Sequence, residues 1–107
     1  MMGPYYSPED FGLELIGSVD TAGTYEYDMF CVWVHEETKA IYYATESGCS
    51  CPSPFEDVTI ETMTRVPEPN ALRSLMKSWA EQSYGEEPLT GAQISAIIQK
   101  THAAVAA

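Results

Sequence analysis

Positive charge is scarce in this sequence. Five lysines and arginines stand against sixteen aspartates and glutamates, a formal net charge of −11 with histidine neutral. Such a chain has little with which to displace counterions from a phosphate backbone, so nucleic acid is not an expected partner. The same imbalance argues against docking on an anionic membrane surface. Long apolar runs are missing too. None approaches the roughly 20 residues of a membrane-spanning helix, and the N-terminus has no basic-then-apolar leader, so the expected location is cytoplasmic. Cysteine is scarce at three residues, which is no disulfide framework. Histidine is scarcer, at two, which leaves little material for imidazole catalysis.

What is present suffices for one folded domain, spanning residues 1–107. A chain of 107 residues that is 45% hydrophobic can bury a core but cannot divide into two. The charge is lopsided. Residues 1–64 carry twelve acids and one base, Lys39, while the four acids and four bases beyond them cancel. That asymmetry fits either a one-sided interaction surface or an acidic sheet that resists aggregation.

The hydrophobic period changes along the chain. Phe11 to Val19 reads as a strand, Leu13, Leu15 and Val19 alternating with Glu14, Ile16 and Ser18. Tyr25 to His35 is the strongest strand pattern, and its stretch Phe30-Cys31-Val32-Trp33-Val34 is apolar on both faces, as a strand covered on both sides would be. Ala40 to Thr45 predicts a third strand, and Val58 to Val66 a fourth. Gly48 to Pro54 reads as loop, because Pro52 and Pro54 cannot sit in an interior strand. From Asn70 the period is helical: Leu72, Leu75, Met76 and Trp79 form one stripe, and Gly85 with Pro88 ends it. Thr90-Gly91-Ala92-Gln93 matches a capping box opening a second helix with Ile94, Ile97, Ile98 and Val105 inward and a frayed tail from Ala103. The expected fold is α+β. A small antiparallel meander of three to four strands, with its Pro/Cys loop, occupies about residues 11–66, and two C-terminal helices from about 69–104 pack on one face.

Signals for chemistry are weak. Period 2 puts Cys31 and His35 on one strand face, and Cys49-Ser50-Cys51 brings two more thiols into the loop. A tetrahedral zinc site from Cys31, His35, Cys49 and Cys51 is conceivable, yet C-x-C is not the usual zinc spacing, so no metal or other cofactor is expected. Redox chemistry at Cys49 and Cys51 is disfavoured by the acids Glu46, Glu56 and Asp57 around them, which raise thiol pKa values. No nucleophile elbow, P-loop, dinucleotide fingerprint or zinc-protease motif occurs, so an enzyme is not expected.

The most individual stretch is Gly48-Cys49-Ser50-Cys51-Pro52-Ser53-Pro54-Phe55-Glu56-Asp57, preceded by Tyr42-Tyr43 and, at the start, by Tyr6-Ser7-Pro8-Glu9-Asp10-Phe11-Gly12-Leu13. In these features the first half of the chain resembles a family of small, uncharacterised proteins of actinobacteria and their phages. The resemblance implies a phage or prophage setting and a small accessory protein; it carries no activity or ligand with it.

The loop makes sense as a recognition element. Pro52 and Pro54 pre-order the backbone, and Phe55 ringed by Glu56 and Asp57 would anchor a partner, unless Phe55 is tucked into the core. The expectation is thus a non-enzymatic protein-interaction module in the cytoplasm of a bacterial host, its partner a protein such as a host factor. Two alternatives stay open. Glu26 and Asp28, two apart on a strand, stand about 7 Å from each other and could imitate phosphates. Otherwise the cysteines could make a zinc-stabilised domain. The oligomeric state is not legible.

Overall fold

The computed structural model describes residues 3–21, 26–49, 55, 58–82 and 89–107, with side chains except at 26, 27 and 49. Four antiparallel strands run in the order β1 (Leu13–Asp20), β2 (Glu26–His35), β3 (Ile41–Cys49) and β4 (Thr64–Val66). Two helices follow, α1 (Leu72–Gln82) and α2 (Gly91–Ala106). Single 3₁₀ turns precede β1 at Pro8–Phe11, β4 at Ile60–Thr62 and α1 at Pro69–Ala71. The expected α+β meander with a C-terminal helix pair is the observed fold.

The sheet is covered on both faces. On one side Val19, Phe30, Val32, Val34, Ile41 and Val66 meet Leu72 and Met76 of α1 and Ile94, Ile97 and Ile98 of α2. Phe30 stacks on Tyr43 with ring centroids 4.9 Å apart and meets Trp79 at 5.6 Å, which seats the end of α1 over the middle strands. On the other side Leu13, Met29, Cys31 and Trp33 are covered by irregular chain: Tyr5 from the N-terminal segment, and Phe55, Val58, Ile60 and Met63 from the connection between β3 and β4. The double-sided apolar run in β2 is read here directly, since its even-numbered residues face the helices and its odd-numbered ones face this second layer.

Four local features differ from the sequence pattern. The alternation in β1 does not run through. Leu15 pairs with Trp33 but Gly17 pairs with Val32, so Ile16 is an inserted residue, a β-bulge. The bulge reverses the phase: Leu13 and Leu15 face the second layer, while Ile16 and Val19 pack on the helix side. Gly17 marks the site, because α2 comes so close that a Cβ there would lie 2.9 Å from Ile97 Cγ1. The stretch expected as a fourth strand from Val58 is mostly not strand. Its Thr59 and Thr62 satisfy each other's backbone amides around a 3₁₀ turn, which leaves Thr64–Val66 to pair with β3. Finally, β3 continues to Cys49, past the expected Thr45, paired with β2 from Glu26 to Val34, and α2 stays helical to Ala106 instead of fraying at Ala103. Ala104 and Val105 pack on the core, and alanine is the best helix former. The capping box is present as read, with Thr90 Oγ1 accepting from Gln93 N–H at 3.1 Å and Gln93 Oε1 accepting from Thr90 N–H at 2.9 Å. The helix end expected at Gly85 lies outside the described residues.

Candidate functional site

The residues singled out in the sequence do not converge. Phe55 is fully buried, edge-on to Trp33 at 5.5 Å and 6.1 Å from the Tyr5 ring, so it is a core residue and not an outward anchor. Its backbone takes φ 61°, rare for a bulky side chain, and its N–H donates to a Glu46 carboxylate oxygen. The side chain thereby plugs the second layer and ties the β3–β4 connection to β3. Pro52, Pro54, Glu56 and Asp57 lie outside the described residues. So does the side chain of Glu26. Asp28 is half-buried, and its backbone N–H donates to Asp20 Oδ1 at 3.0 Å.

Strand register disposes of the four-ligand zinc site. Cys49 pairs with Glu26 at one end of β2, and His35 is nine residues away at the other end, about 30 Å at 3.3 Å per residue. Zinc ligands must all lie within ~2.3 Å of one ion, so this set cannot close. His35 is otherwise engaged: its Nδ1 accepts from the N–H groups of Glu37 at 3.2 Å and Thr38 at 3.3 Å, closing the β2–β3 turn. Cys31 is sealed beneath the second layer. Burial, reinforced by the carboxylates of Asp20 and Glu46, pushes its thiol well above the usual range, which makes it unreactive. Cys51 lies outside the described residues. Among the described residues no group of three His, Cys, Asp or Glu side chains could hold a metal ion, and no helix is long and apolar enough to cross a membrane.

The surface feature that the fold does build is the outer side of β1. This strand is an edge of the sheet, eight residues long, and among the described residues no strand pairs with its outer side. Two bonds fix which backbone groups point out. Thr21 N–H donates to Asp28 O at 3.1 Å, and Glu36 N–H donates to Gly12 O at 2.9 Å. Counting inward from both ends by the alternation of an antiparallel ladder, and across the bulge, turns Leu13, Leu15, Ser18 and Asp20 outward with their N–H and C=O groups. Beside this edge lies an open groove of about 390 Å³, lined by Glu14, Leu15 and Ile16 of β1 and by Lys100, Ala103 and Ala104 towards the end of α2. Its volume is at the small end of ligand clefts, enough for one or two aliphatic side chains. Small alanines on the helix keep it open. Glu14 and Lys100, both exposed, supply polar rims.

None of the sequence motifs marks this edge. Two signals could have: a glycine inside a strand pattern, which marks a bulge or close backbone approach, and an alanine-rich final helical turn beside an edge strand. No curated protein sequence and no solved structure matches the chain. The family model of a domain of unknown function, DUF7574, matches residues 2–104, and the chain belongs to that family.

Proposed function

We propose that this protein is a non-enzymatic interaction module that takes an extended segment of a protein partner as a fifth strand on the outer side of β1. The observation that carries this is the coincidence of a strand edge, unpaired among the described residues, with a groove between that edge and α2. In strand addition the main-chain bonds supply affinity, and a pocket for alternate side chains supplies specificity; both components adjoin here. The edge is also guarded against promiscuous pairing, by the bulge at Ile16 and by exposed Glu14 and Asp20. Such guarding suits a strand that pairs with a chosen segment. Taken with the resemblance of the first half of the chain to small phage proteins, the setting is a phage or prophage accessory protein contacting a host protein in the bacterial cytoplasm.

The test is Ser18→Pro. Ser18 is exposed and its N–H points outward, so proline removes a donor for an incoming strand without breaking the β1–β2 ladder. The probe is the capped peptide Ser-Thr-Val-Thr-Val-Thr-Ser, whose palindromic sequence fits either strand direction. Binding should slow amide exchange at Leu13, Leu15, Ser18 and Asp20 and should be lost in the proline variant. Protection elsewhere, or binding indifferent to the proline, overturns strand addition.

A further inference from the structure

We infer that His35 is a pH-sensitive latch: protonating its imidazole opens the β2–β3 turn and loosens the tie between that turn and the start of β1. This device is independent of strand addition. The two partners of Nδ1 are backbone N–H groups, of Glu37 at 3.2 Å and Thr38 at 3.3 Å, and an amide N–H can only donate. The nitrogen that meets them is therefore the bare one, and the neutral ring carries its proton on Nε2. An imidazolium donates from both nitrogens, so its Nδ1–H would point at two other N–H groups and both bonds would be lost. The turn depends on them. Lys39 stands at φ 61°, a left-handed backbone that costs energy for a residue with a side chain. His35 N–H to Ala40 O at 2.8 Å and Lys39 N–H to His35 O at 2.9 Å close the base of the turn, and the ring holds the amides between. Glu36 N–H, the first of the turn, donates to Gly12 O at 2.9 Å, so the same residues tie down the start of β1. The ring itself lies close over Gly12, where a Cβ would come 3.2 Å from Nε2. Titratable groups on the elements around the ring are Glu36, Glu37 and Lys39 on the turn, Glu9 and Asp10 on the 3₁₀ turn that ends at Gly12, Glu14 on β1 and Tyr42 on β3. Alternation sets Glu14 on the opposite face of β1 from Leu13, the partner of His35, and Tyr42 on the His35 face beside Trp33. The acids of the two turns outnumber the single base and give an imidazolium that leaves the amides acceptors to turn to.

The test is amide exchange by NMR between about pH 8 and about pH 5, the range in which histidine changes charge, with protection taken relative to the free-peptide rate at each pH. Protection at Glu36, Glu37 and Thr38 should fall several-fold towards acid, in step with the titration of the His35 ring resonances, while Ile98 in the core holds. His35→Asn removes those ring resonances, which assigns them, and keeps a side-chain acceptor for the N–H two residues on that does not ionise. Its turn should stay protected at the acid end. His35→Lys carries a donor throughout and should be open already at the alkaline end; where it does not fold, the comparison of the parent with His35→Asn decides. Equal pH dependence in the parent and His35→Asn assigns the loosening to the carboxylates and overturns the latch. A His35 ring that titrates while the three amides stay protected overturns it too, as does a ring that stays neutral across the range. Glu36 still protected when Glu37 and Thr38 have opened overturns the link to β1.

Discussion

Replacing Gly17 by alanine is a test of how closely α2 is set against β1. The new Cβ would lie 2.9 Å from Ile97 Cγ1 and 3.4 Å from its Cδ1. Carbon atoms in contact sit about 3.5–4.0 Å apart, so the first of these is short by roughly 0.6–1 Å. The clash falls on Cγ1, which rotates only if χ1 leaves its well, at about 0.5–1.5 kcal/mol for a 30° departure. The alternative is to lift α2, which loosens the contacts of Ile94 and Ile98, both buried in the same cluster. Overpacking of this kind costs about 1–3 kcal/mol. Alanine in place of glycine in a strand returns about 0.5–1 kcal/mol by restricting the unfolded chain. The expected net loss is therefore about 1–2 kcal/mol, read as a lower urea midpoint at unchanged slope. Ile97→Ala by itself should cost about 2–5 kcal/mol through the cavity it leaves. In the double variant the methyl at position 17 enters space vacated by Ile97, so the two losses should sum to more than the loss observed. Gly17→Ala as stable as the parent, or strict additivity in the cycle, would refute the close approach.

Three further outcomes follow from the packing. Phe55→Ala should cost about 3–5 kcal/mol in denaturant unfolding, since the ring is fully buried against Trp33; a loss below 1 kcal/mol would return Phe55 to the surface. Cys31 should resist iodoacetamide in the native protein and react only on unfolding, as followed by mass spectrometry of its peptide. Because its folded pKa is raised, the folded thiol stays protonated where the unfolded one ionises, so its contribution holds below the ordinary thiol value and is lost as pH rises above it. The stability advantage of the parent over Cys31→Ala should accordingly fall by up to about 1.4 kcal/mol per pH unit above pH ~8.5, and a flat difference would contradict the burial. Thr90→Ala should cost about 0.5–2 kcal/mol by undoing the cap on α2, with Thr90→Ser restoring most of it; an unchanged melting temperature would mean the cap is idle.

The elements whose signal is local are legible from residue order alone. The stripe Leu72, Leu75, Met76 and Trp79 specifies a helix with one buried face whatever lies beneath it, and the Thr90–Gln93 box closes within a single turn. The apolar run Phe30 to Val34 required cover on both faces of β2, because no other arrangement removes Phe30 and Trp33 from water together. Which chain provides that cover was decided only by the tertiary structure. Phe55 reads equally as an exposed anchor or a core plug from its neighbours, and it is the edge-on packing against Trp33, with the Glu46 carboxylate at its backbone, that makes it a plug. The zinc set failed for a reason of register, since Cys49 is close to Cys31 in the list of thiols but paired with Glu26, at the end of β2 away from His35. The candidate edge was invisible for a similar reason. The side of β1 left unpaired among the described residues is defined only once β2 has taken the other side, and the groove depends on Gly17 letting α2 settle against that strand while Ala103 and Ala104 leave space beyond it. Local periodicity records which face of an element avoids water; which neighbour meets it, and which edge is left without one, depends on contacts between residues far apart in the chain.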